Sequence, residues 1–178
     1  EAILEFSRIF EQNGVESDDY RRLDASYREN FKRFVEEAKY YDIFLISTKG
    51  DIVYTQAHES DFATNLLTGP YRDTGLGKVT RYALDNLKSS ISDFERYEPS
   101  HNAIAAFVAT PVIINGEIKG VLALQIYSER VFAVIANNVG LSDSGETVVA
   151  RREDDHFALV MAPLKFDPDA ALQRRIPL

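Results

Sequence analysis

The N-terminal part of the chain carries apolar side chains at helical spacing. One apolar set lies within residues 3–10 and a second within 20–38, with a break at Asn13 between them. Recurrence every three or four residues places such side chains along one face of a helix. Because Ser17 or Asp18 can cap the second helix, the pattern predicts two helical pieces joined by a loop. Their apolar stripe packs on a sheet of the same chain or against a second copy of the helix, and a juxtamembrane helix has the same pattern.

From Tyr41 onward the apolar period changes from helical to extended. The continuous apolar run at 43–46, the turn at 49–51 and the run at 52–54 predict a hairpin whose first strand is buried. Asn115-Gly116 gives the strongest turn signal, since both central residues of a type I′ turn need positive φ. The predicted strands of the sheet lie at 43–46, 52–54, 91–97, 105–114 and 117–127.

A loop and a helix interrupt this series of strands. The loop at 61–73 combines Asn65, Gly69 and Pro70 with large apolar residues, which indicates a loop folded back over the sheet. Apolar positions at helical spacing predict a short helix at 76–87. Helices on one face of an antiparallel sheet and loops over the other make an α+β domain.

The C-terminal part predicts a few further elements. A helix at 129–139 leaves the sheet and ends at Gly140 as its cap. Two strands at 146–150 and 157–162 follow, and the tail at 169–175 has a helical pattern. These pieces are too few for a second complete core.

Composition narrows the classes of function. The chain has 178 residues, of which 45% are hydrophobic, so it can bury a core of about one domain. Its 28 acidic and 20 basic residues give a net charge of -8, which disfavours binding to nucleic acid or anionic membranes. The absence of cysteine excludes disulfides, thiolate metal sites and cysteine nucleophiles. No apolar run reaches bilayer length, and the start at Glu1 indicates a segment of a longer protein.

Two stretches of the sequence resemble a known family. Residues 40–79, YYDIFLISTKGDIVYTQAHESDFATNLLTGPYRDTGLGKV, and 92–126, SDFERYEPSHNAIAAFVATPVIINGEIKGVLALQI, are similar to extracytoplasmic Cache sensor domains, which are PAS-like (PDC) domains. The segment GLSDSGET at 140–147 resembles the start of the second, membrane-proximal module of double-Cache receptors, but the sequence after it departs from that pattern. The resemblance implies a helical region at 1–39, a Cache sensor domain at 40–139 and an incomplete second module at 140–178.

The resemblance also implies a function. Cache domains sense ligands outside the cytoplasm in bacterial chemotaxis receptors, sensor histidine kinases of two-component systems, and nucleotide or diguanylate cyclases. A periplasmic sensor domain of an inner-membrane protein is therefore expected, anchored by transmembrane helices outside this segment. It would bind a small molecule such as an amino acid, amine or short carboxylate, form a homodimer through the N-terminal helix and carry no catalytic residues or cofactor. Ligand binding would be relayed through the flanking helices to a cytoplasmic output domain.

The resemblance places the pocket between the sheet and residues 62–82. Asp93, which can pair with a ligand amine, is close in the sequence to Arg96, Tyr97 and Ser100. A structural interpretation competes, in which Asp93 only organises the turn at Pro99 and the tyrosines are ordinary core residues. Gln125 is a candidate ligand-binding residue, because a buried amide needs hydrogen-bond partners and a pocket can supply them. The predicted ligand-binding residues are Tyr54, Phe62, Tyr71, Tyr82, Asp93, Arg96, Tyr97, Ser100, Phe107 and Gln125.

Two other classes of function stay open at this point. A dimerisation or partner-protein module would use the same fold without a ligand, and a filled core around Asp93 and Tyr97 would favour it. A small metal-dependent hydrolase would need ionisable groups converging on His58, where Glu59 and Asp61 could meet one cation, although polar residues leaving a strand are usually a solvated turn. The glycines of TGLGKVT do not fit a phosphate-binding loop, because Val79 follows the lysine where Ser or Thr is required.

Overall fold

The computed structural model describes residues 1–136 and 145–178, which form four helices and nine strands. The helices are α1 (Ala2–Asn13), α2 (Asp18–Ala38), α3 (Gly75–Asn86) and α4 (Ser128–Ile135). The strands are β1 (Tyr40–Ile46), β2 (Ile52–Thr55), β3 (Ser90–Ile91), β4 (Glu95–Tyr97), β5 (Ala103–Ile114), β6 (Glu117–Tyr127), β7 (Ala150–Arg152), β8 (Phe157–Val160) and β9 (Arg175–Pro177).

The main sheet is antiparallel and five positions wide. Its order is β2-β1-β6-β5-β3, and β4 pairs with β5 beyond β3. The turn between β5 and β6 has φ values of 53° at Asn115 and 79° at Gly116, as a type I′ hairpin requires. The predicted α+β fold with N-terminal helices packed on a roughly five-stranded antiparallel sheet is therefore confirmed.

Alternating side chains of β1 build a core on each face of the sheet. Ile43 and Leu45 face α1 and α2, whereas Phe44 and Ile46 face α3 and the loop that precedes it. Because strand side chains alternate between faces, a continuous apolar run marks a strand covered on both sides. The unbroken hydrophobic sequence of β1 is explained by these two layers.

The N-terminal helices lie on one face of the sheet. The structure confirms two helical pieces, and Ser17 caps α2 by accepting a hydrogen bond from the backbone N–H of Tyr20 at 3.2 Å. Phe6 of α1 is fully buried against the rings of Tyr20 and Tyr54. The apolar stripes of both helices therefore contribute to the core of this chain.

The prediction of one continuous strand at 91–97 is wrong in one respect, because the structure divides it into β3 and β4. At the break, the backbone N–H of Phe107 donates to the hydroxyl of Ser92 at 2.9 Å instead of to a backbone carbonyl. The carbonyl of Phe107 still accepts from the Ser92 N–H at 2.8 Å. One serine side chain thus interrupts the ladder and releases the chain from β5 for residues 92–94.

The C-terminal residues form a separate three-stranded sheet, in the order β7-β8-β9. The strand predicted at 146–150 begins only at Ala150, and the predicted helical tail is instead a short 3-10 turn at Pro168–Ala170 followed by β9. A lone helix of seven residues is unstable in water, whereas β9 pairs with β8 and packs Ile176 on a small apolar core. The end of the predicted helix at 129–139 and its cap Gly140 lie outside the described residues.

Within the described ranges, every helix is too short or too polar to cross a bilayer.

Gly120 marks a close approach between β6 and its surroundings. Its φ is +144°, and a Cβ atom there would collide with the carbonyl oxygen of Ile46 and the side chain of Ile3. Because both the backbone and the packing resist a side chain, we expect Gly120→Ala to lower the free energy of unfolding by about 2 kcal/mol. Gly116→Ala, with φ +79° and open space around it, should cost about 1 kcal/mol. Urea unfolding measures both, and equal losses would contradict the role of close packing.

Candidate ligand-binding site

A cluster of carboxylates and tyrosines lies where the segment between β2 and α3 covers the end of the sheet. The segment leaves β2, is hydrogen-bonded by Tyr41 of β1 and Tyr97 of β4, and reaches α3 at Gly75. Its polar side chains meet polar side chains from the strands below them. The members of this carboxylate–tyrosine cluster are Tyr41, Glu59, Ser60, Asp61, Tyr71, Tyr97, Glu98, Ser100 and Gln125.

Asp61 is the deepest carboxylate of the cluster. Its side chain has no solvent exposure, and Tyr97 donates its hydroxyl to Oδ2 at 2.5 Å. The other oxygen, Oδ1, is buried and has no hydrogen-bond partner in the described structure. Burial raises the pKa of Asp61 to about 6, partly opposed by the Tyr97 hydrogen bond and assisted by the nearby charge of Glu59. Burial and the Asp61 charge also raise the pKa of Tyr97.

Glu59 organises the second half of the cluster. Tyr41 donates to Oε1 at 2.6 Å and Ser100 donates to Oε2 at 2.6 Å. Gln125, almost fully buried on β6, donates its amide N–H to the Ser100 hydroxyl at 3.0 Å. Burial and the hydrogen bond to Glu59 raise the pKa of Tyr41 to about 12. The buried amide therefore finds its partner within the cluster, as its burial requires.

Tyr71 lies over the cluster on its solvent side. Its hydroxyl is 2.9 Å from the hydroxyl of Ser60 and donates to Glu98 Oε2 at 2.9 Å. The centre of its ring lies 6.2 Å from that of Tyr97. An open cavity of about 420 Å³ adjoins this place and is lined by His58, Glu59, Ser60, Glu98, Pro99 and His101. Solvent thus reaches one side of the cluster directly.

Asp42 fixes the start of the covering segment. Its fully buried carboxylate accepts the backbone N–H groups of Gln56 at 2.9 Å and Ala57 at 3.1 Å. It also accepts the Ile43 N–H at 2.7 Å and the hydroxyl of Thr55. Burial raises the pKa of Asp42 to about 7, and these donors oppose the shift. Asp42 of β1 therefore holds in place the residues with which the covering segment begins after β2.

A second concave surface lies beside α3. This groove of about 320 Å³ runs between α3 and the strands β3 and β4, and residues Tyr82, Asp93 and Lys78 contribute to its lining. Asp93 is exposed and accepts a hydrogen bond from Arg151 of β7 at 3.3 Å. Glu95, which also lines the groove, accepts the backbone N–H of Gly75 at 2.6 Å. The groove mixes both signs of charge and is separate from the carboxylate–tyrosine cluster.

The predicted site residues divide among several places in the structure. Tyr71, Tyr97, Ser100 and Gln125 come together in the cluster. Phe107 packs beneath Tyr97, with ring centres 4.8 Å apart. These five residues form the part of the predicted pocket that the fold assembles at one place.

The remaining predicted residues lie elsewhere. Tyr82 and Asp93 line the groove beside α3, and Arg96 is exposed, donating to the carbonyl of Asn102 at 3.4 Å. Tyr54 is fully buried on the helix side of the sheet. Phe62 is partly buried and stacks on His58, with ring centres 4.3 Å apart. The structure therefore separates Asp93 and Arg96 from Tyr97 and Ser100, although the four are neighbours in the sequence.

Sequence reasoning did not assign ligand binding to Glu59, Asp61 or Tyr41. The sequence suggests Glu59 and Asp61 only as cation ligands together with His58, and the described residues contain no group of three or more His, Cys, Asp or Glu side chains that could hold a metal ion. His58 instead contacts the guanidinium of Arg28 at 2.9 Å. The signal that could have found Asp61 is a carboxylate directly before Phe62 in a loop rich in large apolar residues.

The sequence matches no family model and no curated protein. Solved structures of three bacterial sensor or ligand-binding domains share its fold. They are the sensor domain of the histidine kinase DctB from V. cholerae (17% identity, TM-score 0.50), the ligand-binding domain of the chemoreceptor CtaA from Pseudomonas fluorescens with L-serine (12%, 0.55) and that of the chemoreceptor PctC from Pseudomonas aeruginosa with GABA (13%, 0.52).

The alignments cover most of this chain but only part of each solved structure. They include 72%, 84% and 89% of this chain, and 45%, 58% and 61% of the DctB, CtaA and PctC chains, respectively. This chain therefore spans about half the length of the structures it matches. At these identities the likeness establishes the fold alone. The chain has the α+β fold of bacterial receptor and kinase sensor domains, and the resemblance to Cache (PDC) sensor domains found in the sequence is confirmed at the level of that fold.

Proposed function

We propose that this chain is the extracytoplasmic ligand-sensing domain of a bacterial transmembrane receptor. The observation that carries the proposal is the carboxylate–tyrosine cluster, in which a fully buried Asp61 keeps an unpartnered oxygen. Buried polar atoms are almost always paired, so an unpartnered one within a cluster that adjoins a cavity is typical of a binding site. The shared fold supports the proposal, because the solved structures are themselves sensor or ligand-binding domains. The domain itself is non-catalytic in this proposal.

A chain of contacts from the covering segment to α2 supports a relay of the signal. Arg28 of α2 donates to Asp24 at 2.8 Å and to His58 Nε2 at 2.9 Å. Burial and the neighbouring guanidinium lower the pKa of His58, so its neutral ring accepts this hydrogen bond. Next to His58, Glu59 belongs to the cluster, so a ligand that shifts the segment also shifts a partner of α2. We propose that α2 passes this shift to a second copy of the chain and to an output domain outside it.

A ligand panel tests the sensing function. Amino acids, amines, short carboxylates and purines are added singly to the protein, and its melting temperature is measured by calorimetry. A ligand at about 100 times its dissociation constant stabilises the folded state by about 2.7 kcal/mol. For a domain of this size that amounts to a rise of about 5–10 °C. A saturable rise for one class supports sensing, whereas no rise for any member contradicts it.

One observation favours a second function, that of a dimerisation or partner-protein module without a small ligand. The ring of Tyr97 is fully buried and belongs to a filled core with Phe44 and Phe107. If the pocket is vestigial, the Tyr97 ring fills it in every state of the protein and no ligand displaces it. Sedimentation with and without the ligand panel separates the two functions: a stable dimer that no ligand perturbs would support the module, and ligand-dependent stabilisation would support the sensor.

A further inference from the structure

The three acidic side chains of the carboxylate–tyrosine cluster have no cationic partner. The side chains that donate hydrogen bonds to Glu59, Asp61 and Glu98 are all neutral hydroxyl groups, and none of the three forms an ion pair with Lys or Arg among residues 1–136 and 145–178. Elsewhere in the described chain, Asp24 is paired with Arg28 and Asp93 with Arg151. Buried or partly buried carboxylates are ordinarily compensated by a cation or by strong donors. The cluster therefore has an excess of negative charge and of acceptors.

The geometry matches the donors of an ammonium group. The Asp61 side chain is inaccessible to solvent, and its Oδ1 atom has no hydrogen-bond partner in the described structure. An ammonium group carries three N–H donors and no acceptor, so it complements an acceptor of this kind. The rings of Tyr71 and Tyr97, with centres 6.2 Å apart, add aromatic faces that attract a cation. Carboxylates and aromatic rings together favour a protonated amine over a neutral ligand.

The cluster contains no Lys or Arg side chain that could pair with a ligand carboxylate. The guanidinium of Arg28 is hydrogen-bonded to Asp24 and His58. The exposed Arg96 donates a hydrogen bond to the carbonyl of Asn102. A zwitterionic amino acid would therefore place its carboxylate beside other carboxylates, where repulsion weakens binding. The groove beside α3, which contains Lys78 and Asp93, is the surface whose mixed charge suits a zwitterion.

We infer that the carboxylate–tyrosine cluster binds a protonated amine that carries no carboxylate group. The inference rests on the proposed sensing function and names the ligand class of that site. It differs from the ligands in the CtaA and PctC structures, L-serine and GABA, which carry both groups. Glu59, Ser60 and Glu98 line the open cavity but Asp61 does not, so an amine that enters from the cavity reaches Asp61 only if Tyr71 moves away from Ser60 and Glu98.

Three four-carbon probes test the inference by changing only the end groups. They are 1,4-diaminobutane, 4-aminobutyrate and butanedioate, each titrated into the whole chain by isothermal calorimetry at neutral pH. We expect the diamine to bind at least about tenfold more tightly than the aminobutyrate, and butanedioate not to bind, because only the diamine avoids an unpaired carboxylate. Binding of the aminobutyrate or butanedioate in preference to the diamine overturns the inference and leaves the sensing function intact. No binding of any probe, together with a silent ligand panel, overturns both.

Matched carboxylate-to-amide variants locate the amine. Asp61→Asn should weaken diamine binding at least about tenfold, because the amide removes the charge and offers a donor where the ligand needs an acceptor. Asp85→Asn, at an exposed position of α3, should leave binding unchanged. Circular dichroism and melting of each variant verify that it is folded. Loss of binding in Asp93→Asn with retention in Asp61→Asn would place the ligand in the groove beside α3 and overturn the assignment.

Discussion

Replacing Phe6 with alanine is expected to lower the free energy of unfolding by about 3–5 kcal/mol, as for other fully buried phenylalanines. Phe6 has no solvent exposure, and its ring lies 4.9 Å from that of Tyr54 and 5.5 Å from that of Tyr20. It is the point at which α1 joins α2 and the sheet in one core. Since domains are stable by about 5–15 kcal/mol, this loss is a large fraction of the total. Urea unfolding monitored by circular dichroism measures it.

Leu4 provides the matched control on the same helix. Its side chain is 43% exposed, so Leu4→Ala removes apolar area from α1 without opening a cavity. We expect a loss of about 0.5 kcal/mol, as for surface substitutions in general. If both variants lost the same small amount, α1 would be an appendage that does not contribute to the core, and its packing against Tyr54 would not persist in solution.

Local signals in the sequence were sufficient for most of the fold. The hairpin at Asn115-Gly116 was predictable because its backbone needs two residues that tolerate positive φ, and this requirement does not depend on distant contacts. The run at Ile43 to Ile46 was predictable as a buried strand for a similar reason. The division of the strand at 91–97 was not, because it depends on one hydroxyl, that of Ser92, meeting the backbone of Phe107.

The candidate site was less accessible to sequence reasoning than the fold. Its central hydrogen bond joins Asp61 to Tyr97, which are 36 positions apart, and no periodicity connects them. Proximity in the sequence instead favoured Asp93 as the partner of Tyr97. In the structure Asp93 is exposed at the groove beside α3, because the chain leaves the β5 ladder at 92–94 and rejoins it at β4. An irregular segment of three residues therefore separates side chains that the sequence places together.

Sequence reasoning also undervalued the polar residues that leave β2. His58, Glu59 and Asp61 have the composition of a solvated turn, and His58 and Glu59 are indeed partly or largely exposed. Asp61 differs because it is fully buried, where Tyr97 of β4 donates a hydrogen bond to it. Burial of a carboxylate depends on the tertiary structure around it, so the residue types alone do not reveal it.

The buried carboxylate of Asp61 is expected to make the ligand-free domain less stable as pH rises. Burial raises its pKa from the ordinary value of 3.8 to about 6, so the folded state holds a proton that the unfolded state releases. The stability that Asp61 contributes is therefore full below about pH 4 and is lost as pH rises through about 6. Each pKa unit corresponds to about 1.4 kcal/mol, which gives a loss of about 3 kcal/mol.

The titration of Asp61 can be isolated from that of its neighbours by substitution. Tyr97, Tyr71, Glu59 and Asp42 all interact electrostatically with Asp61, and they remain in Asp61→Asn. We expect the variant to match the original chain at about pH 4 and to exceed its unfolding free energy by about 3 kcal/mol at about pH 7.5, because the amide has no charge to bury. Urea unfolding across this range measures the difference. Parallel curves for the two proteins would show that Asp61 is ionised at no cost when folded, so that an amine would have no buried charge to compensate.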